Sequence, residues 1–480
     1  MKKHIFYIAI LSLYALVLTG CNDFLDKSPI SQLTSSSTSS LTTADQAEAL
    51  LAACYADYRT ERYELDYFVD GDMHSDNTYA GASGSQYSQI DAYNADASNS
   101  NVTRDWTNLY AMVAHCNKTI VNVPKIADAN LTDARKTQIV AEASFIRAWA
   151  YFDLIRLFEN IPLILNDIPA INGDNFEQLS STLYPEQATQ ASIYSQIVTD
   201  LQTALATVPA TAANKGFITK GAVNALLAKV YATQDTKDWS KVSTYCDAVI
   251  NGGYSLVSNY DYLWDDNHKN SSESIFEIQY DGNWGTGTGN WGASMFIGTD
   301  WKKFNCPSKD IVKAFNDEGD VIRFNSSIKW ATVTWDDANW TKSNYPFCNK
   351  MRGDQSAASN IIMLRLADIL LLKAEALNEL GQTTQAATYI NQVRNRVGLA
   401  NTAATTQSDM RLAIEKERFL ELAFEGQRWF DLVRTGRAVA VISKAEGGIY
   451  NGKITSTNLV YPIPQSQLDL NSKLKQNSGY

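Results

Sequence analysis

The chain has 480 residues, 45% of them hydrophobic, and a formal net charge of −11. That length suffices for two or three average domains or one large helical one, with ample apolar material for a core. The acidic balance argues against nucleic acid or an anionic lipid surface as partner, and six scattered cysteines with four histidines make no metal framework.

Residues 1–20 read as an export leader. Lys2 and Lys3 form a basic start, and the apolar run from Ile5 to Leu18 is too short to cross a bilayer. Loss of the two lysines with the leader would take the charge from −11 to −13. The run ends in Leu18-Thr19-Gly20-Cys21, which resembles a bacterial lipobox. On that reading Cys21 becomes the acylated N-terminus, and at ~0.8 kcal/mol per buried methylene two or three chains anchor a protein durably. No later stretch is long and apolar enough to span a membrane. Residues 31–43 hold ten Ser or Thr in thirteen, a composition that cannot fold alone. Residues 21–43 are therefore expected to be a flexible tether with a reach of roughly 25 Å.

Thr43-Ala-Asp-Gln46 has the form of a capping box opening a first helix. Residues 70–104 show no period and are expected to form a long loop, of the kind that often carries function. The helical period predicts further helices over about 104–126, 133–158, 186–208, 220–232 and from 240 onward. Near the C-terminus Leu366, Leu370, Ala374 and Leu377 form one apolar stripe. Gly381 breaks it, and Ala386, Ile390 and Val393 begin another. Three helix pairs share one plan: a small residue with a larger one three positions on (Ala148/Tyr151, Ala228/Tyr231, Ala374/Leu377), followed by a helix with apolar residues at spacing four then three. The first two helices are a candidate fourth pair. This is an irregular tetratricopeptide-like (TPR-like) pattern, so the fold is expected to be mainly α, a curved scaffold of about four stacked pairs.

Between about 254 and 360 the helical period fades and a loop-rich lobe with short strands is expected, Ser274–Tyr280 being one strand. Six of the eleven tryptophans fall between Trp284 and Trp340. Trp284, Trp291 and Trp301 are separated by glycines and polar residues rather than by the spacing of a buried face. An indole in such a loop suits a sugar, because its face covers C–H patches while its N–H reaches a hydroxyl. Asn283, Asn290 and Asp300 stand beside these rings to take hydroxyls. Trp330, Trp335 and Trp340, five apart, fit neither helix nor strand and rank below the first three.

Catalytic signatures are missing. The GTGTG run does not open a helix, as a dinucleotide loop must, and no GxSxG or HExxH is present. His115, beside Cys116 on a helix, reads as packed. The aspartates near the tryptophans (265, 266, 281, 300, 310, 317, 320, 336 and 337) read as caps and turns rather than a glycosidase pair. The sequence calls for no catalytic residue, cofactor or metal. Cys54 and Cys246 fall on apolar helix faces, while Cys306 and Cys348 are candidates to pair in an oxidising compartment.

The C-terminal stretch carries the most specific signal. Arg418, Glu421, Glu425, Arg428, Asp431 and Arg434 recur at spacings of three or four along what reads as one long helix, a half-buried ion ladder. ERFLELAFEGQRWFDLVRTG, preceded by LRLADILLLKAEALNE and followed by LVYPIPQSQLDLNSKLKQNSGY, resembles the C-terminal hallmark of the SusD/RagB family of outer-membrane nutrient-binding lipoproteins. NDFLDKSP at 22–29 and CPSKDIVKAFNDEGDVIR at 306–323 are similar to the family as well.

The resemblance implies one domain over 44–480, with a four-pair helical scaffold (about 44–253 and 361–436) and a binding lobe (about 254–360). It implies a cell-surface, lipid-anchored protein that binds oligosaccharide without breaking it and serves as a lid on a SusC-like, TonB-dependent transporter. Ligand would rest on loop aromatics, which suggests Tyr79 and Tyr87 from 70–104 beside Trp284, Trp291 and Trp301. A peptide-binding relative and, less so, a surface glycosidase are the alternatives.

Overall fold

The computed structural model describes residues 41–81, 86–169, 171, 173–296, 303–352, 357–445 and 453–480. The leader, Cys21 and most of the tether lie outside the described residues.

Helix α1 (Ala44–Ala56) starts as its sequence dictates: Thr43 Oγ1 accepts from the Gln46 amide at 3.3 Å, and the Gln46 side chain accepts from the Thr43 amide at 3.1 Å. Its partner α2 (Ser100–Asn122) begins four residues before the apolar period does, because Asn99 caps it by accepting from the amides of Asn101 and Val102. Then come α3 (Asp133–Phe158), α4 (Gln190–Thr207), α5 (Lys220–Thr233) and α6 (Trp239–Ile250). Thr132, Thr189, Thr219 and Asp238 cap them in turn. After the lobe, α7 (Leu366–Glu379) and α8 (Thr383–Arg396) form the last pair, and α9 (Gln407–Glu421) packs on α7.

The four pairs are α1/α2, α3/α4, α5/α6 and α7/α8. The small residues that marked them, Ala148, Ala228 and Ala374, are fully buried, which lets neighbouring backbones approach. Side chains lock the layers. Arg147 of α3 grips Asp200 of α4 with two bonds of 2.8 and 2.7 Å, Tyr231 and Tyr245 stack at 5.7 Å, and Lys373 of α7 reaches Asp247 of α6 at 2.6 Å.

Three two-stranded antiparallel ribbons belong to the lobe: β1 (Thr78–Tyr79) with β3 (Cys306–Pro307), β2 (Ser274–Ile278) with β6 (Ile361–Arg365), and β4 (Ile328–Ala331) with β5 (Tyr345–Cys348). Cys306 and Cys348 do not pair; both are buried free thiols, and Cys348 Sγ instead lies 2.9 Å from the Asn305 carbonyl.

Two expectations need correction. Residues 70–104 are not one open loop. Residues 62–80 are almost wholly buried, in two tight helical turns and β1, before a short helix at Gln86–Asp91. Nor is the C-terminal helix continuous. It ends at Glu421 and resumes as α10 (Arg428–Arg434), with Phe424 and Gly426 between them at φ +64 and +69. The break admits the 69–73 turn: the Gly426 amide donates to Asp72 at 2.8 Å, the Gln427 side chain to the Tyr67 hydroxyl at 2.7 Å, and Arg428 grips Asp76 at 2.7 and 2.8 Å.

The charged row is an internal network, but apart from Asp431 its partners come from other elements. Glu421, fully buried, faces Arg323, Arg365 and Arg396. Glu425 takes Lys350 and Arg365; Arg418 takes Asp368 and Asp431; Arg434 takes Glu375 and Asp431. Burial pushes the Glu421 carboxyl upward, yet the three guanidiniums outweigh it and hold it well below the ordinary range.

Candidate functional site

The loop after β2 is a small built platform. Asp281 and Gly282 donate their amides to the Thr288 carbonyl at 3.1 and 3.2 Å, Asn283 bridges to Thr288, and Gly287 turns the chain at φ +70. The Thr288 hydroxyl donates to Asp281, and Asn283 Oδ1 accepts from the Gly285 amide at 2.9 Å. On this tight turn Trp284 stands 61% exposed, the most exposed of the described tryptophans. One face of its indole lies on Gly289, where a Cβ would come 2.8 Å from the ring, so only glycine leaves room. The ring is thereby held by one face and open on the other.

Asn290 then turns inward. It is buried, donates to the Ser359 carbonyl at 2.8 Å through its side chain and to the Ala357 carbonyl at 2.7 Å through its amide. It braces the loop rather than facing a ligand. Trp291 is half-buried against the core. The adjoining Gly292 sits on the backbone of Glu64. The Glu61–Asp66 segment is held at both ends by Arg104, which binds Asp66 at 2.6 Å, Glu61 at 3.1 Å and the Tyr87 hydroxyl at 3.2 Å. Tyr87, half-buried, meets Phe304 edge-on at 4.7 Å. Trp291 and Tyr87 therefore flank one buried segment.

Tyr79 does not join them. Its ring is fully buried in a satellite cluster with Tyr345, Phe347 and Val333, and its hydroxyl meets Asp337 at 2.6 Å and Tyr345 at 2.9 Å. Pairing in β1 turns it inward, away from any ligand. Trp301 and Asp300 lie outside the described residues. Trp330 and Trp340 meet edge-on at 5.3 Å, Trp340 donates to the Pro307 carbonyl at 3.0 Å, and Trp335 packs on Tyr345; these three staple the lobe. Sequence reasoning singled out none of Glu64, Tyr280, Arg104 and Phe304 as neighbours of Trp291 and Tyr87. Their only local signal was type, since their partners lie far along the chain.

Most of the described aspartates of the lobe have structural partners: Asp265 with His268, Asp266 with Ser359, Asp317 with Lys313, Asp320 with Arg323, Asp336 with the Lys342 amide, and Asp337 with Tyr79 and Tyr345. His115 pairs with Asp57 at 2.8 Å, which raises its pKa, and His74 is stacked on Trp429, buried and driven down to about 3. Among the described residues no cluster of His, Cys, Asp or Glu is arranged to hold a metal, and no helix is long and apolar enough to cross a membrane. A cleft of about 540 Å³ opens elsewhere, beside α9 and α10, but its Arg411 and Arg434 are already bound bidentately to Glu379 and Glu375.

A scaffold of stacked helix pairs carrying a loop-rich lobe is the architecture of SusD-like proteins. The chain belongs to the SusD/RagB family. A profile described as "SusD family" matches residues 333–480, and one described as "Starch-binding associating with outer membrane" matches 23–232. A SusD-like protein of Formosa agariphila is 28% identical, with all of both chains covered. The starch-binding protein SusD of Bacteroides thetaiotaomicron is 24% identical over 73% of this chain and 74% of its own. The solved structure of a laminarin-binding SusD-like protein superposes with a TM-score of 0.75 at 25% identity, covering 92% of this chain and all of that one.

Proposed function

We propose that the protein captures oligosaccharide on the 281–291 loop and delivers it, unbroken, to a SusC-like TonB-dependent transporter on which it acts as a lid. The observation that carries the binding step is Trp284, braced on Gly289 with its outer face free. Trp291 and Tyr87 are the second ring positions, and Trp301 belongs to the same reading from its sequence. Relatives named for laminarin and starch binding support a carbohydrate ligand. Family membership supports the transporter and a non-catalytic role. Cys21 carries the lipid, and residues 21–43 are the tether that lets the 44–480 domain hinge at the outer membrane's outer face while staying at high local concentration.

The test is isothermal titration of the soluble protein from residue 22 onward against a panel that includes laminarin, starch and a mixed peptide digest. Trp284→Ala is expected to weaken the bound polysaccharide about tenfold, a stacking loss of about 1–3 kcal/mol per ring by analogy with bases. Unchanged affinity would remove Trp284 from the site, binding of peptide alone would overturn the carbohydrate reading, and release of reducing sugar would overturn the non-catalytic one.

A further inference from the structure

Glu64 lies directly under the platform. Residues Arg62–Asp66 form a single tight turn in which every side chain is buried. Two of its charged neighbours have counter-ions: Arg62 meets Asp70 and Asp105, and Asp66 binds Arg104 through both oxygens. Glu64 has none. It points instead toward Tyr280 at the end of the β2 segment and toward the Trp291 amide, and is 2% exposed. Gly292 rests on its backbone, where a Cβ would come 2.0 Å from the Glu64 carbonyl oxygen.

Glu64 Oε2 and the Tyr280 hydroxyl are both sealed from solvent without a hydrogen-bond partner at normal distance among the described residues. The other charges that reach Glu64 are Glu61 and Arg59, both on its own side of the contact. Arg104, from α2, is occupied by Glu61 and Asp66. Burial pushes the Glu64 carboxyl up to about 7; Tyr280 and the Trp291 amide pull it back only in part.

We propose that Glu64 is a positioning residue for Trp291, and that the proton on its sealed carboxyl sets whether the Trp291–Gly292 corner sits closed on the 62–66 turn. The inference rests on the reading of this loop as the glycan platform. In the neutral form the acid fits its dry seat. Once ionised it is a buried charge with no ion pair among the described residues, offset only weakly by Arg59, and its solvation lifts the corner. The closed corner binds the proton more tightly than the open one, in which the carboxyl returns toward 4.5. Closure is therefore fully favoured below that value, weakens as pH rises, and reaches its floor above about 7.

The experiment uses the same soluble protein, with tryptophan emission read without ligand and laminarin and starch as binding probes, between pH 5 and 8.5. Emission is expected to titrate in the wild type and to stay flat in Glu64→Gln and in Trp291→Phe. Polysaccharide affinity should fall by up to about thirtyfold from pH 5.5 to 8.5, the worth of the roughly 1.5 pKa units between pH 5.5 and about 7, and Glu64→Gln should keep the low-pH affinity throughout. Tyr280→Phe, which removes a group that favours the carboxylate, should move the emission midpoint upward, and it decides the matter if Glu64→Gln does not fold. A wild type with no titration, or a Glu64→Gln protein that titrates like it, overturns the proposal. If neither probe binds at any pH but the emission change follows Glu64 and Trp291, the positioning role stands and the glycan reading is what fails.

Discussion

At the scale of single residues, Glu421 shows how a charge that looks catalytic can be architectural. Its carboxylate is surrounded by the guanidiniums of Arg323, Arg365 and Arg396, all at most a few per cent exposed. Removing one partner of a buried network leaves the others uncompensated, so Glu421→Gln is expected to cost about 3–5 kcal/mol, read as a drop in the urea midpoint with glycan affinity unchanged in the surviving folded protein. The spacing of Arg418 to Arg434 announced that these residues were special. It could not name the partners, because Arg365 and Arg323 stand 56 and 98 residues away. The tryptophans divide the same way. Trp284 was legible because it sits among glycines and polar residues. Tyr79 was not, since its sequence neighbours are just as polar and only the pairing of β1 with Cys306–Pro307 turns it inward.

At the scale of elements, helices were legible wherever a cap and an apolar period agreed, as at Thr43 and Thr132. They were misjudged where a cap stood outside the period, as at Asn99, or where the period ran through a break. The α9–α10 break is the clearest case: Leu422, Gly426 and Trp429 continue a helical stripe, yet the backbone turns left-handed twice between them. Gly426 is required there. At φ +69 an added Cβ would come 2.5 Å from the Tyr67 ring, so Gly426→Ala is expected to lose about 1–3 kcal/mol in denaturant unfolding. A stability equal to wild type would mean that the turn is not fixed by that contact. The 62–80 segment was misjudged for a related reason. Its polar residues (Asp66, Asp70, Asp72, Asp76, Asn77) read as surface loop, whereas Asp66, Asp70, Asp72 and Asp76 are buried against Arg104, Tyr461, Gly426 and Arg428 of other segments, and Asn77 against Asp72.

For the molecule as a whole, two populations of carboxyl groups oppose one another. Glu421 and Asp431 are held below their ordinary values; burial opposes this, but the arginines around them win. They contribute stability that is present above about pH 4 and lost as pH falls. Glu64, Asp72 and Asp91 are raised by burial to about 7; the native state holds their protons after the unfolded chain has released them, so stability declines from about pH 4 up to about 7. Thermal unfolding is therefore expected to show its highest Tm in mildly acidic buffer, between about pH 4.5 and 6, and a Tm still rising from pH 6 to 8 would contradict the assignment. The scaffold and the lobe were both visible in the chain's periodicities. The weld between the two stretches of the scaffold was not. Asp72, Asp76 and Tyr67 find their partners 354, 352 and 360 residues later, a separation that makes this closure slow. A polypeptide made from its amino end consequently stays unlatched until its final stretch is delivered, a pliable thread for nearly all of its synthesis that snaps shut only when the tail arrives.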